Sequence, residues 1–393
     1  MHKAVVLGCN YYIGLSIIRC LGKEGVHVVA CDYDLKNSYG AKSKYISEFL
    51  EIKELAEVNE VTLTKLLQFG KAQAKKPVLL PSHDKYVEFI DRYYDKLSEY
   101  FLISQAPNSL NSKLMDKVVL HKIASEHGVL VPESFSVDEE NLLEKVEKIG
   151  YPCIIKPSDT VEFTKVFRSK VFLCENPKKL QEGIEKAKKH NVEVFVQQII
   201  PGFDDHMLTY DYYINKQGKT THYMTAQKQR QWPINFGASV FTQQKYLPEL
   251  VSNSKNFLES IGYQGFGEIE YKKHEKTGEV YLIEINVRTT NFNNLIYKLG
   301  INMPYIAYLE LTGQESKIKN KYVDYDTRYA FIYGYEDLLS ILKYAKTGQV
   351  SLFKSFFKIL GKRLAPAIFS VTDLKPWFNF NKKLFRKFFR KIR

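Results

Sequence analysis

Short apolar runs alternate with helix-like stretches through the first quarter of the chain. KAVVLG (residues 3–8), VHVVACD (26–32), KYISEFLEI (44–52), PVLLPS (77–82) and FLISQ (101–105) are separated by segments such as LSIIRCLGKEG. That order predicts a parallel α/β sheet closing near residue 110. From Ser112 the period changes: KLMDKVVLHKIASEHG reads as one amphipathic helix ending at Gly128, followed by the extended V-L-V-P. YPCIIKP (151–157) and EVFVQQIIPGFDDHMLTYDYYI (193–214) predict further strands, the latter two joined at Pro201-Gly202. The alternation is strongest in GFGEIEYKKHEKTGEVYLIEINVR (265–288), a strand, a turn at Lys276-Thr277-Gly278, and a second strand.

On the two-residue period of a strand, Glu270, Glu284 and Asn286 converge on one face of that hairpin, with Arg288 two residues further on. A solvated polar hairpin is the ordinary reading of such residues. It is disfavoured here because Glu284 and Asn286 interrupt the apolar run VYLIEINV, and a carboxylate there costs several kcal/mol without a cation beside it. Two carboxylates and an amide oxygen suit a hard cation such as Mg²⁺, which keeps waters and takes further oxygens from a nucleotide's phosphates. Lys156 in C-I-I-K-P makes the complementary case, since a lysine in an apolar strand needs an anion nearby.

The pattern G-x-G-x-x-E, a turn, then L-I-E-I-N-x-R resembles the metal-binding core of the ATP-grasp ligases. The resemblance implies an ATP-grasp α/β fold with a Rossmann-like domain in front (1–111), a small subdomain (112–196), a large subdomain with the metal site (197–315), and a C-terminal extension with a basic tail (316–393). By the same resemblance Glu270, Glu284 and Asn286 hold Mg²⁺ (or Mn²⁺) on the phosphates of ATP, Lys117 and Lys156 contact those phosphates, and Arg288 steadies the transferred phosphoryl group. Adenine is expected against the strand backbone of Gln197, Gln198 and Ile200, with Asp204 or Asp205 on the ribose. K-x-R-x-x-P-x-x-x-G puts Lys228 and Arg230 on one strand face toward a carboxylate or γ-phosphate, and a structural salt bridge is the competing reading.

Two departures narrow the resemblance. The first βα turn, Gly8 to Gly14, lacks the closely spaced glycines of a nicotinamide fingerprint, and Asp32 is ambiguous. The resemblance implies instead that this domain helps bind the non-nucleotide substrate, with Asn10 and Tyr11 facing the acceptor or carboxylate, against a helix cap with packing aromatics as the competing reading. The segment after Lys156, PSDTVEFTKVFRSKVFLCEN, has no glycine where many ATP-grasp enzymes carry a glycine-rich phosphate loop, leaving Ser158, Thr160, Thr164 and Lys165 as substitutes. That glycine-free shape resembles the carboxylate–amine ligase branch that includes the ligases adding D-aspartate to peptidoglycan precursors. The implied reaction is amide formation through an acyl phosphate. A carboxylase, a soluble dipeptide synthetase and a non-catalytic ATP-binding scaffold are the alternatives. Asp84 is read as a helix cap, and Asn291, Asn293 and Asn294 as acceptor contacts.

The formal charge of +13 over 393 residues is concentrated beyond residue 350, where twelve Lys and Arg face the single acid Asp373. FKSFFKILGKRLAPAIF and WFNFNKKLFRKFFRKIR interleave aromatic and basic residues, which fits an anionic membrane surface better than nucleic acid, for which no module motif is present. A tail helix packed on its own domain is the competing reading. Five cysteines with no C-x-x-C pair, no signal-like start and no membrane-length apolar run point to a cytoplasmic protein, peripheral on the inner membrane face through its tail. A homo-oligomer is compatible with this reading.

Overall fold

The computed structural model describes residues 1–104, 109–158 and 160–392. Three sheets organise it. The first contains β1 (Ala4–Leu7), β2 (Val28–Asp32), β3 (Glu48–Glu51), β4 (Val78–Pro81) and β5 (Leu102–Ile103) in the order β3-β2-β1-β4-β5, all parallel. Every residue of β1, β2 and β4 is buried, as expected of parallel strands with both faces covered. The turn from β1 into the helix Tyr12–Gly22 is tight enough that a Cβ on Gly14 would lie 1.9 Å from the Gly8 carbonyl oxygen. Asp32 serves this turn, its Oδ2 accepting the Cys9 N–H at 2.7 Å.

The second sheet, β6 (Ser134–Ser136), β7 (Cys153–Pro157), β8 (Phe172–Cys174) and β9 (Val194–Gln198), runs β6-β9-β7-β8 and has its own core around Val146, Ile155, Phe163 and Val196. The third is built from β10 (Met207–Ile214), β11 (Thr220–Trp232), β12 (Ala238–Gln244), β13 (Gly265–Lys273), β14 (Val280–Asn286), β15 (Lys321–Val323), β16 (Tyr329–Ile332) and β17 (Arg363–Pro366). Its order is β14-β13-β10-β11-β12-β16-β17, with β15 beside β11. Helix Tyr12–Gly22 and helices Asn293–Lys298 and Met303–Leu311 share one core, joining the first sheet to the third.

Two expectations change, and the tail takes a place in the fold. The helix expected from Ser112 to Gly128 is two, Leu110–Met115 and Lys117–Glu126, because Asp116 is extended (ψ 114°) and caps the second helix by accepting from Val118 N and Val119 N. The core does not end near residue 315: β15, β16 and β17 pair with β11, β12 and each other, so much of the C-terminal segment belongs to the large sheet. The tail forms the helix Lys375–Ile392, rooted by Asp373, which is buried and accepts from Arg19 Nε at 3.0 Å and Ser43 Oγ at 2.7 Å. Trp377 and Phe380 pack against the core, whereas Phe378 and Phe385 are exposed. The side chains of residues 388–393 and of Thr160 and Val161 lie outside the described residues.

Candidate active site

The hairpin β13–β14 forms as its alternation predicts. Glu270 lies directly across from Glu284, and Glu268 across from Asn286. Ile269, Tyr271, Leu282 and Ile285 point the other way into a core beneath the sheet. The polar face borders a cavity of about 580 Å³ lined by the second and third sheets and by Tyr11, Ile13, Ser82 and His83, which follow strands of the first. Of the expected site residues, Lys117, Lys156, Gln197, Gln198, Ile200, Asp204, Lys228, Glu270, Glu284, Asn286 and Arg288 line it.

Charges alternate around the cavity. Lys228 Nζ lies 2.5 Å from Glu270 Oε2, and although burial opposes its ammonium, Glu270 and Glu268 outweigh that and raise its pKa. Burial, then the like charge of Lys117, push Lys156 down to about 8. Glu284 shows the reverse balance: burial works against its charge, but Lys117, Lys228, Lys156 and Lys170 together hold its carboxyl below the usual range. Glu268 is buried with Oε1 unpartnered among the described residues, and burial followed by the charges of Asp211 and Glu270 raises its pKa strongly. Asp211, raised to about 7 by burial, accepts from Thr290 Oγ1 at 3.1 Å and Thr209 Oγ1 at 3.2 Å.

Among the described residues no three acids, histidines or cysteines close into a ready-made metal cage. Two opposed carboxylates, an amide and open cavity space are instead the donor set of a cation that completes its shell with phosphate oxygens and water, so Mg²⁺ fits Glu270, Glu284 and Asn286. The unpartnered oxygen of Glu268 adds to that fit.

Other residues fall elsewhere. Arg230 does not line the cavity, because the β11–β12 register shifts on both sides of it and turns it to the opposite face. There it makes a two-pronged pair with Asp337, at 2.6 and 2.9 Å, and donates to the Ser355 carbonyl at 3.1 Å. Asp205 faces away from the cavity, beside His206 and Lys358. Asp204 remains in the lining, with Oδ1 accepting from Gln231 Nε2 at 2.9 Å and Oδ2 unpartnered among the described residues. Asp84 is not the cap of its helix but receives Arg288 through two N–H groups, at 2.6 and 3.0 Å, while Arg288 Nη2 also donates to Asn286 Oδ1 at 3.1 Å. Tyr11 and Asn291 reach the cavity. Asn10 instead donates to the Tyr33 hydroxyl, Asn293 to Ser16 Oγ, and Asn294 to the Pro366 carbonyl.

In place of a glycine-rich loop stands the helix Thr160–Phe167, and the turn after it delivers Lys170 into the cavity lining. Ser158 bonds through its backbone to Glu193, and Thr164 Oγ1 to the Ser169 carbonyl. Lys170, Lys272, Glu268 and His83 are lining residues that sequence reasoning passed over. Lys272 was within reach, since it continues the two-residue period of Glu268 and Glu270. Its ammonium donates to the Phe203 carbonyl at 2.7 Å, and burial lowers it to about 8.

This fold is shared with known proteins. Residues 116–298 match the family described as carbamoyl-phosphate synthase L chain, ATP binding domain, and together with the fold that match makes them an ATP-grasp domain. The chain is 27% identical over 242 residues to a D-aspartate ligase of Enterococcus faecium, and 29% identical over 198 residues to a formate-dependent phosphoribosylglycinamide formyltransferase of Ignicoccus hospitalis. These alignments cover 59% and 48% of this chain, and 58% and 42% of the relatives' own lengths. Among solved structures, the biotin carboxylase domain of Hydrogenobacter thermophilus 2-oxoglutarate carboxylase, in complex with MgADP and bicarbonate, superposes with a TM-score of 0.64 at 15% identity, covering 84% of this chain and 73% of that one. N5-carboxyaminoimidazole synthetase of Staphylococcus aureus complexed with ADP gives 0.63 at 17%, covering 81% and 79%.

Proposed function

We propose that the protein is an ATP-dependent carboxylate–amine ligase that forms an amide through an acyl phosphate, adding an amino acid to a cell-envelope precursor or polysaccharide. The observation that carries this reading is the meeting of Glu270, Glu284 and Asn286 with Lys117, Lys156 and Lys228 around one cavity, opposed charges left open to a polyanion. Similarity to a D-aspartate ligase supports an amino acid as one substrate. Lys117 and Lys156 hold the phosphates, and Lys228 keeps Glu270 oriented. The free oxygen of Asp204 suits a ribose hydroxyl, and the backbone from Gln197 to Ile200 suits the base. Mg²⁺, held by Glu270, Glu284 and Asn286, would neutralise charge on the phosphates. Arg288, aimed by Asp84, stands where the carboxylate accepts the phosphoryl group, with Tyr11 and Asn291 at the acceptor end. Such a transfer needs no protein nucleophile, only positioning and charge stabilisation.

Among the described residues no helix is long and apolar enough to cross a membrane. We propose a peripheral attachment through the basic helix Lys375–Ile392. The ligase reading is tested by ADP release from purified protein across D- and L-amino acids, with soluble and lipid-linked envelope precursors as acceptors. Release that requires both an amino acid and an acceptor is expected. ATP binding without substrate-dependent release would leave a nucleotide-binding scaffold.

A further inference from the structure

The helix Leu352–Phe357 is mounted the wrong way round for a soluble surface. Phe353, Phe356, Phe357 and Leu360 recur at i, i+3, i+4 and i+7, the spacing that normally faces a core. Here they face solvent, with exposures of 74, 53, 59 and 66%. The rings of Phe353 and Phe357 lie 5.4 Å apart and contact each other rather than the interior. The helix is held to the body by polar contacts on its other side: the buried Ser355 gives its carbonyl to Arg230, and Lys358 reaches Asp205. An apolar stripe of this size, fixed by a specific scaffold, marks an interaction surface.

Its charge identifies the occupant. From residue 338 to residue 372 there are six Lys and Arg and no Asp or Glu. The acids that bound this stretch, Asp337 and Asp373, are buried and consumed by Arg230 and Arg19. Lys354, Lys362 and Arg363 flank the stripe, an arrangement that repels a second copy of itself across a symmetric contact but suits negatively charged headgroups. We infer that this stripe seats in an anionic lipid surface, apolar side chains entering the headgroup boundary and lysines meeting the lipid charge. It acts in addition to the tail helix and is independent of the ligase reading. Gln349, just before the helix, lines the cavity, and Lys358 pairs with Asp205 beside the cavity residue Asp204.

The test uses the full chain and F353S/F356S/F357S, sedimented with phosphatidylcholine vesicles with and without about 30% phosphatidylglycerol. The parent is expected to partition onto the anionic vesicles, and the serine variant to do so about tenfold or more weakly. F353L/F356L/F357L is expected to bind like the parent, and ATP turnover with soluble substrates to be equal in all three, which reports an intact fold. Equal partitioning of parent and serine variant overturns the inference. So does sedimentation velocity showing that the parent self-associates without binding vesicles and that the serine variant is monomeric. Deleting residues 376–393 separates the two membrane elements: if that deletion removes all vesicle binding and the serine substitutions remove none, the tail proposal stands and the stripe proposal fails.

Discussion

Lys228 and Arg230 sit two residues apart on β11, both buried and both paired with a carboxylate, and they do opposite things. Arg230 is turned away from the cavity and committed to its own partners. It gives two N–H groups to Asp337 and one to the Ser355 carbonyl, and its guanidinium lies 4.3 Å from the Phe241 ring centre. Three of its five N–H groups and one ring contact are engaged away from the cavity, and the pair's side chains are each 3% exposed. On the other face Lys228 meets Glu270 through one contact, beside Glu268, with an oxygen unpartnered among the described residues, and Glu284, balanced by Lys117, Lys228, Lys156 and Lys170. Desolvating so many charges is costly unless something completes them. The closed face holds the C-terminal helices to the sheet, while the open face is poised for a polyanion and a cation.

The largest effect should come from the open face. Glu284→Gln keeps the shape of the side chain but removes the charge that faces Lys117, Lys156 and Lys228. ATP turnover is expected to fall on the order of 10²–10³-fold, the scale of losing one preorganised charge-stabilising group, with thermal unfolding little changed. ADP formation within a few-fold of the parent would end the metal assignment. Arg230→Met tests the closed face: Asp337 is left buried and unpaired, at a cost of about 3–5 kcal/mol in urea unfolding, while the KM for ATP of the folded protein stays put. Replacing Asp337 by Leu in the same protein should recover most of that stability. A raised KM with unchanged unfolding would mean that Arg230 also serves a ligand.

The contrast explains what was legible beforehand. Period-2 alternation is local, so the hairpin and its cavity-facing acids could be read directly, as could the parallel N-terminal sheet with its continuously apolar strands. The same rule placed Arg230 beside Lys228 and failed, because it assumes a regular strand and the register shifts on either side of Arg230. Asp84 and Arg288 are 204 residues apart, and only the docking of the first sheet on the third brings them together. The strands after residue 320 are short and pair with distant partners, so their runs look like an appendage. For the helix Leu352–Phe357 the apolar period was readable, but which way it faces is decided by the polar contacts of Ser355 and Lys358.

Lys156→Met sharpens the comparison from the second sheet. Losing one charged contact to phosphate should lower kcat/KM for ATP about 10- to 100-fold. Its pH dependence carries a sign. With an ammonium near 8, Lys156 is charged below that pH and neutral above it. Bound phosphate favours the charged form, so nucleotide binding takes up a proton above pH 8 and affinity falls as pH rises. Calorimetric titration across that range should show the fall in the parent, and a flatter profile in Lys156→Met whose residual slope reports Lys272. The same slope in both would move the phosphates away from Lys156.

The smallest effect is expected from Lys170, and it asks whether the turn after the helix Thr160–Phe167 belongs to the open face at all. Lys170 is exposed and lines the cavity, favouring the charged forms of Glu284 and of Glu336 on the helix Gly334–Lys346. An exposed cation is screened by water and contributes about 0.2–1 kcal/mol at most, so Lys170→Ala should raise the KM for ATP no more than about fivefold at low salt, and less as salt is added. If the turn closes over the nucleotide, that screening is lost on closure, and the substitution should lower kcat more than it raises KM. Single-turnover ADP formation at two salt concentrations separates the cases. A salt-sensitive KM effect alone leaves Lys170 as a guide for the incoming nucleotide. A salt-insensitive kcat effect places it on the phosphates, in the role that a glycine-rich loop would otherwise fill.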